Sequence, residues 1–294
     1  MAEGNRNQAA SVKQRLLNLA RSEGRVYDIV LVRYALERLL YRLSISRLRD
    51  QFILKGGMLV TLWVEGGQRE TRDMDFLGFG EADTAQLRMA FAEIMAIDSD
   101  DALAFDTESL TATAIREEFD YGGIRLRTAA YLERSRIPVV VDIGFGDALA
   151  STASTITYPS LLEMDSPEIR AYPPATVIAE KFQAMVALGA INGRMKDYFD
   201  LWAIPKALSI DPEALDAAIK ATFERRTTET PAGRPPGLSE TFTSDESKQR
   251  QWRNYAQSIE LGQLSLEEVV GDVWSLVEPS CTRIRQGTSA SKNT

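Results

Sequence analysis

FILKGGMLV (residues 52–60) followed by TRDMDFL (residues 71–77) is the stretch from which the fold is read. Phe52-Ile53-Leu54 is a short apolar run that breaks at Lys55-Gly56-Gly57. Apolar residues then recur at helical spacing from Met58 to Val64, closed by Gly66-Gly67, and 73–79 reads as a strand. Side chains two apart on a strand point the same way, so Asp73 and Asp75 share a face. Like charges that close repel. Water, an arginine or a metal ion must sit between them.

The glycine pair lies in a strand-to-helix turn, where backbone N–H groups approach a phosphate and the helix start favours negative charge. Such turns are also common without a ligand. An isolated Asp-x-Asp is often plain solvated surface; here Asp73 lies 16 residues after Gly57, with one helix between. Asp142 ends the run Pro138-Val139-Val140-Val141. A carboxylate there is costly to bury unless paired or metal-bound, and the other reading puts it at an exposed strand end. If its strand neighbours that of Asp73 and Asp75, three carboxylates meet. That is enough to hold two magnesium ions and to deprotonate a hydroxyl without histidine.

Composition narrows the chemistry. The 294 residues hold no histidine and one cysteine, Cys281. This excludes Ser-His-Asp and Cys-His nucleophiles, zinc sites built from those residues, and intrachain disulfides. A catalytic metal must be held by oxygen, which favours Mg2+, with Mn2+ as the substitute. The net charge of −8 argues against a generally basic nucleic-acid binder. Yet residues 1–55 carry 11 Lys/Arg against 5 Asp/Glu, which leaves −14 for the remainder. The basic part is either a pair of helices with solvated outer faces or a shelf for a phosphate backbone. No apolar run reaches the ~18 residues of a membrane span, and the polar start MAEGNRNQAAS lacks a signal core, so a cytoplasmic protein is expected.

The spacing predicts helices over 11–22 and 27–49, the latter with Arg33, Arg38, Arg42, Arg47 and Arg49 between its apolar positions, and over 83–96. Strands are expected over 109–115, 124–130 and 138–143, with Gly122-Gly123 as a turn before the second. Helical periods return at 175–189, at 196–205 with a stop at Pro205, and at 211–223, 248–259 and 264–277. Residues 225–247 read as a long surface loop, and the tail is expected to be disordered. The domain plan is therefore 1–165 for N-terminal helices and an α/β core, 166–278 for a helical domain, and 279–294 for the tail.

Two further groups carry charge. Lys181 sits inside the apolar helix 175–189, where a lysine either snorkels or pairs with a phosphate. RMKDYFDLW (194–202) places Arg194, Asp197 and Asp200 at a helix start, as local charge pairs or as acids orienting Lys181.

Taken together, FILKGGMLV, TRDMDF, GGIRLR, IPVVVDIGFGD, AYPPATVIAEKFQAM and RMKDYFDLW resemble the AbiEii/AbiGii toxin family, nucleotidyltransferase-like toxins of bacterial type IV toxin–antitoxin systems. The resemblance runs from about residue 50 to 203, and through PPGLSETF and Gln251-Trp252 beyond. It implies an α+β fold with a polymerase-β-like core, a mixed sheet flanked by helices, and a mostly helical C-terminal region. It also implies transfer of a nucleoside monophosphate from an NTP to RNA, at the tRNA 3′ end, which blocks translation, with magnesium as cofactor and a cognate antitoxin as partner. By residue, Gly56 and Gly57 match the glycine motif, Asp73 and Asp75 the metal pair, Asp142 the third acid, Lys181 the nucleotide lysine and Asp197 the final acid, with Asp200 its substitute.

One departure stands out: many nucleotidyltransferases carry Ser or Thr after the glycine, where this chain has Met58. Phosphate binding then falls to backbone amides and to Lys55, Arg72 or Lys181. Thr71 supplies a hydroxyl nearby, and a modification there would add negative charge and block the pocket. Two other readings share the acid pair: an Asp-x-Asp glycosyltransferase using a nucleotide sugar and manganese, and a degenerate member that only binds nucleotide, RNA or a protein.

Overall fold

The structure is a computed structural model that describes residues 2–64, 69–116, 122–147 and 152–291. In chain order its elements begin with α1 (Ala2–Ser22), α2 (Tyr27–Ile45), β1 (Phe52–Lys55), α3 (Gly57–Trp63), β2 (Met74–Gly78) and α4 (Thr84–Met95). There follow β3 (Ala104–Phe105), β4 (Thr111–Arg116), β5 (Gly122–Leu132), β6 (Ser135–Phe145), β7 (Ser154–Thr157) and β8 (Glu168–Ala171). The rest is helical: α5 (Pro174–Leu188), α6 (Met195–Ala207), α7 (Pro212–Arg225), α8 (Glu240–Ser244), α9 (Glu246–Ser258) and α10 (Leu266–Ser291). Two units result, one of residues 1–62, 70–146 and 154–171, the other of 63–69, 147–153 and 172–294.

In the first unit one mixed sheet runs β3-β5-β6-β2-β1-β8-β7, with β4 on β5. The β2–β6 and β1–β8 pairs are parallel and the others antiparallel. Alternation decides which side each residue serves. Phe52, Leu54, Met74, Phe76, Val139, Val141, Ile124 and Leu126 are buried, and α2 and α4 pack on this side. Phe52 stacks edge-on to Phe91 of α4 at 5.3 Å and meets Phe76 at 5.7 Å, which fills the layer. The intervening positions, Asp75 and Asp142 among them, face the other side.

Neither reading of the basic N-terminal helices describes Arg38 and Arg42, which are 1% and 3% exposed. Both close on Asp101: Arg38 Nε donates to its Oδ2 at 3.1 Å, and Arg42 donates to both oxygens at 2.5 and 3.0 Å. They are a buried clamp that ties α2 to the segment after α4. Arg47, by contrast, is exposed and pairs with Glu93 at the surface.

Gly122-Gly123 is not the expected turn. Both residues lie in β5, opposite Arg116 and Ile115 of β4, and the residues between those strands, like Gly66-Gly67, lie outside the described ones. The turn that matters is Glu133-Arg134, which joins β5 to β6 as a two-residue hairpin with Glu133 at φ +51°.

In the second unit α5 packs on α6 and α7, and α10 on α6 and α7. The expected loop 225–247 is pinned rather than loose: Gly237, Leu238 and Phe242 are buried, Tyr198 stacks on Phe242 at 5.3 Å, and its hydroxyl donates to the Gly237 carbonyl at 2.8 Å. A Cβ on Gly237 would lie 2.7 Å from the Met185 carbonyl, so only glycine fits. α6 runs past Pro205 to Ala207, without the helical bond that Pro205 cannot donate to the Leu201 carbonyl. α10 likewise runs through Pro279 to Ser291, replacing the expected disorder, and buries Cys281. Among the described residues no helix is long and apolar enough to cross a membrane.

Candidate active site

The acids of the sheet meet because of register. β2 and β6 set Asp75 beside Asp142, β1 sets Lys55 beside Asp75, β5 sets Arg125 beside Asp142, and β4 sets Thr113 beside Arg125. Lys55, Asp75, Asp142, Arg125 and Thr113 therefore form one row across five strands, on the side away from α2 and α4. Asp73, in the bend that leads into β2, joins them. Asp73, Asp75 and Asp142 each offer an oxygen within 4.8 Å of the others.

The neighbours of Asp75 explain the glycine pair. Gly56 has φ +69°, and a Cβ there would stand 1.9 Å from Asp75 Oδ2. The Gly57 N–H donates to the same oxygen at 3.3 Å. Burial and the charge of Asp73 push the Asp75 carboxyl up to about 6, against the pull of Lys55. Thr71 donates its hydroxyl to Asp73 Oδ1 at 2.7 Å, which fixes that carboxylate's rotamer. Arg72 is exposed beside it. Met58, at the position after the glycine pair, is 2% exposed and belongs to the core.

Asp142 is also held from the β5 side. Arg125 Nε donates to Oδ1 and Nη2 to Oδ2, both at 2.6 Å, a bidentate fork. Sequence reading did not single out Arg125. A signal for it existed: counting back from a two-residue turn at Glu133-Arg134 sets 125 opposite 142.

A donor set of three carboxylates suits a hard divalent cation. Burial first, and the neighbouring charge of Asp73 second, disfavour the Asp75 carboxylate, and a cation among the three oxygens would offset both.

The remaining expected residues form a second cluster, built within the helical unit. Lys181 of α5 pairs with Asp197 at 2.5 Å and with Asp200 at 2.8 Å, both on α6. Arg69 donates twice to Asp200, at 2.8 and 3.2 Å, and Arg194 Nε lies 2.7 Å from Asp197. Burial opposes the Lys181 charge, but the two carboxylates raise its pKa overall; burial likewise opposes the Asp197 charge, and Lys181 and Arg194 lower its pKa overall. Asp200, 0% exposed between Arg69 and Lys181, is a buried counter-ion. Arg69 is the second residue that sequence reading missed; no local pattern marks it. A cavity of about 910 Å³ in the same unit, lined by Trp252, Arg253, Glu260 and Leu264 among others, contains none of the expected site residues.

A family model described as "Nucleotidyl transferase AbiEii toxin, Type IV TA system" matches residues 38–275. Among solved structures the fold is similar to MenT4, a nucleotidyltransferase toxin of Mycobacterium tuberculosis H37Rv, at 18% identity and TM-score 0.53, covering 92% of this chain and 98% of that one. It is similar also to a putative nucleotidyltransferase from H. pylori, at 12% identity and TM-score 0.50, covering 88% and 96%. No curated protein matches the sequence.

Proposed function

The chain belongs to the AbiEii family of nucleotidyltransferase toxins of type IV toxin–antitoxin systems, and from there we propose that it transfers a nucleoside monophosphate from an NTP to an RNA 3′ end, that of tRNA, and so blocks translation. The observation that carries this reading is the meeting of Asp73, Asp75 and Asp142 within 4.8 Å, in a chain without histidine. Asp73, Asp75 and Asp142 would hold Mg2+. Mg2+ supplies a Lewis acid that polarises the α-phosphate and acidifies the attacking hydroxyl.

The chain's own residues do the rest. Thr71 orients Asp73, and the missing side chain of Gly56 lets Asp75 reach its position. An Asp142 oxygen takes the proton of the acceptor hydroxyl as its oxygen bonds to the α-phosphorus. The α–β phosphoanhydride bond breaks and pyrophosphate leaves with the electron pair. Lys55, Gly56, Gly57 and Arg72 provide amides and positive charge for the phosphates. For Lys181, Arg194, Asp197 and Asp200 the proposal is the one the family resemblance implies: a cationic nucleotide contact fixed by its acids. A cognate antitoxin and a cytoplasmic location complete the proposal.

The test is purified protein with Mg2+, total tRNA and each labelled NTP in turn. Label should enter RNA from one preferred NTP, with pyrophosphate released, and Asp75→Ala should abolish it by on the order of a thousandfold. Full transfer and full toxicity in Asp75→Ala would overturn the assignment of the acids. Transfer to no RNA from any NTP would overturn the reaction.

A further inference from the structure

The fork between Arg125 and Asp142 sits on one of the three acids to which the proposed function assigns the cation. Both Asp142 oxygens already accept a charged N–H at 2.6 Å. Each oxygen keeps a second lone pair, but a divalent cation bound there would stand next to the guanidinium, and the two positive charges repel. Asp142 is fixed on β6, paired with β2 on one side and β5 on the other. The Arg125 side chain is 32% exposed, against 16% for that of Asp142. When one of the pair must move, the longer and more exposed Arg125 side chain is the one that does so, while the strand-borne carboxylate stays.

We propose that Arg125 is a positioning latch on the acid row: it competes with the divalent cation for Asp142 and releases that carboxylate only when the cation arrives. This rests on the reading of the triad as a cation site. Without the cation, Arg125 neutralises one of three crowded carboxylates and occupies both oxygens of the proposed proton acceptor. With the cation bound, the neutralising charge comes from the metal, the fork opens, and Asp142 can receive a proton from the acceptor hydroxyl. The latch so ties the availability of the proton acceptor to occupancy of the site. Lysine at 125 would hold Asp142 as a single point charge and let go more readily than the two-pronged guanidinium.

Mn2+ binding to the full chain without nucleotide, read as free Mn2+ by electron paramagnetic resonance, separates this role from a structural one. Arg125→Gln should bind Mn2+ tighter than the wild type by on the order of tenfold, and Arg125→Lys by a few-fold. In an Asp142→Asn background Arg125→Gln should change nothing, because the object of the competition is gone. Mn2+ binding by Arg125→Gln that is equal to or weaker than wild type, or the same gain in the Asp142→Asn background, overturns the latch. Should Arg125→Gln fail to fold, the Arg125→Lys comparison decides by the same rule. If wild type and Asp75→Asn bind Mn2+ alike, the triad is not the cation site, and the latch falls with that reading.

Discussion

A Cβ on Gly56 would stand 1.9 Å from the Oδ2 of Asp75, so the glycine is the reason that this carboxylate lies where it does. Alanine there must either displace the Asp75 side chain or be accommodated at a positive φ that L side chains rarely adopt. Gly56→Ala should lose nucleotide transfer by about a hundredfold and weaken Mn2+ binding in parallel. Circular dichroism checks that the fold persists. Unchanged Mn2+ affinity would show that Asp75 reaches its position without the glycine.

Thr71 acts on Asp73 through its hydroxyl, not through its size. Thr71→Val should cost about tenfold or more in Mn2+ affinity or transfer rate, as loss of a hydrogen bond behind a metal ligand commonly does. Thr71→Ser keeps the donor and should stay near wild type. A loss in Thr71→Ser with none in Thr71→Val would point to packing of the methyl group instead. Steady-state transfer at varied Mg2+ reads the difference.

The raised Asp75 carboxyl gives a pH signature with a definite sign. Between the unfolded value of 3.8 and the folded value of about 6, the folded chain holds a proton that the unfolded chain has released. Without a metal, stability therefore falls as pH rises through that window. Asp75→Asn removes this loss and should be more stable than wild type by on the order of 1–2 kcal/mol at pH 7, after a discount for partial exposure. At pH 4 the gap should nearly vanish. Urea melts in EDTA at both pH values test it.

Asp200 is a counter-ion between Arg69 and Lys181, and its removal leaves two buried cations short of a partner. Asp200→Ala should cost about 3 kcal/mol or more in urea denaturation. Glu93→Ala, which breaks an exposed pair with Arg47, should leave the urea midpoint nearly unchanged. If Asp200→Ala keeps full stability but loses nucleotide affinity, its role is recognition and not support.

Local pattern was enough for much of the sheet. Alternation in Pro138-Val139-Val140-Val141-Asp142 and in the strand of Asp75 gave each acid its side of its own strand, and the parallel register that sets Asp75 beside Asp142 is what the sequence could state only as a condition. What was missed depended on partners far away in the chain. Arg38 and Arg42 look like the outer face of a helix until Asp101 closes on them. Arg125 was hidden because its hairpin turn is Glu133-Arg134, with no glycine or asparagine to mark the positive φ. The tail looked disordered from its polar composition. Yet Val273, Val277 and Cys281 recur every fourth residue and are all buried, so the stripe that holds α10 continues past Pro279.

The parallel pairing of β2 with β6 also sets when Asp75 and Asp142 can become neighbours during synthesis of the chain. Asp73 and Asp75 leave the ribosome long before Asp142, with α4, β3, β4 and β5 made in between. Parallel strands pair only after the whole crossover has been laid down, and such non-local contacts form late. A nascent chain that ends before β6 carries two of the three acids and no counterpart for Arg125. On the proposed roles of the three acids, a fragment that stops before β6 should transfer no nucleotide.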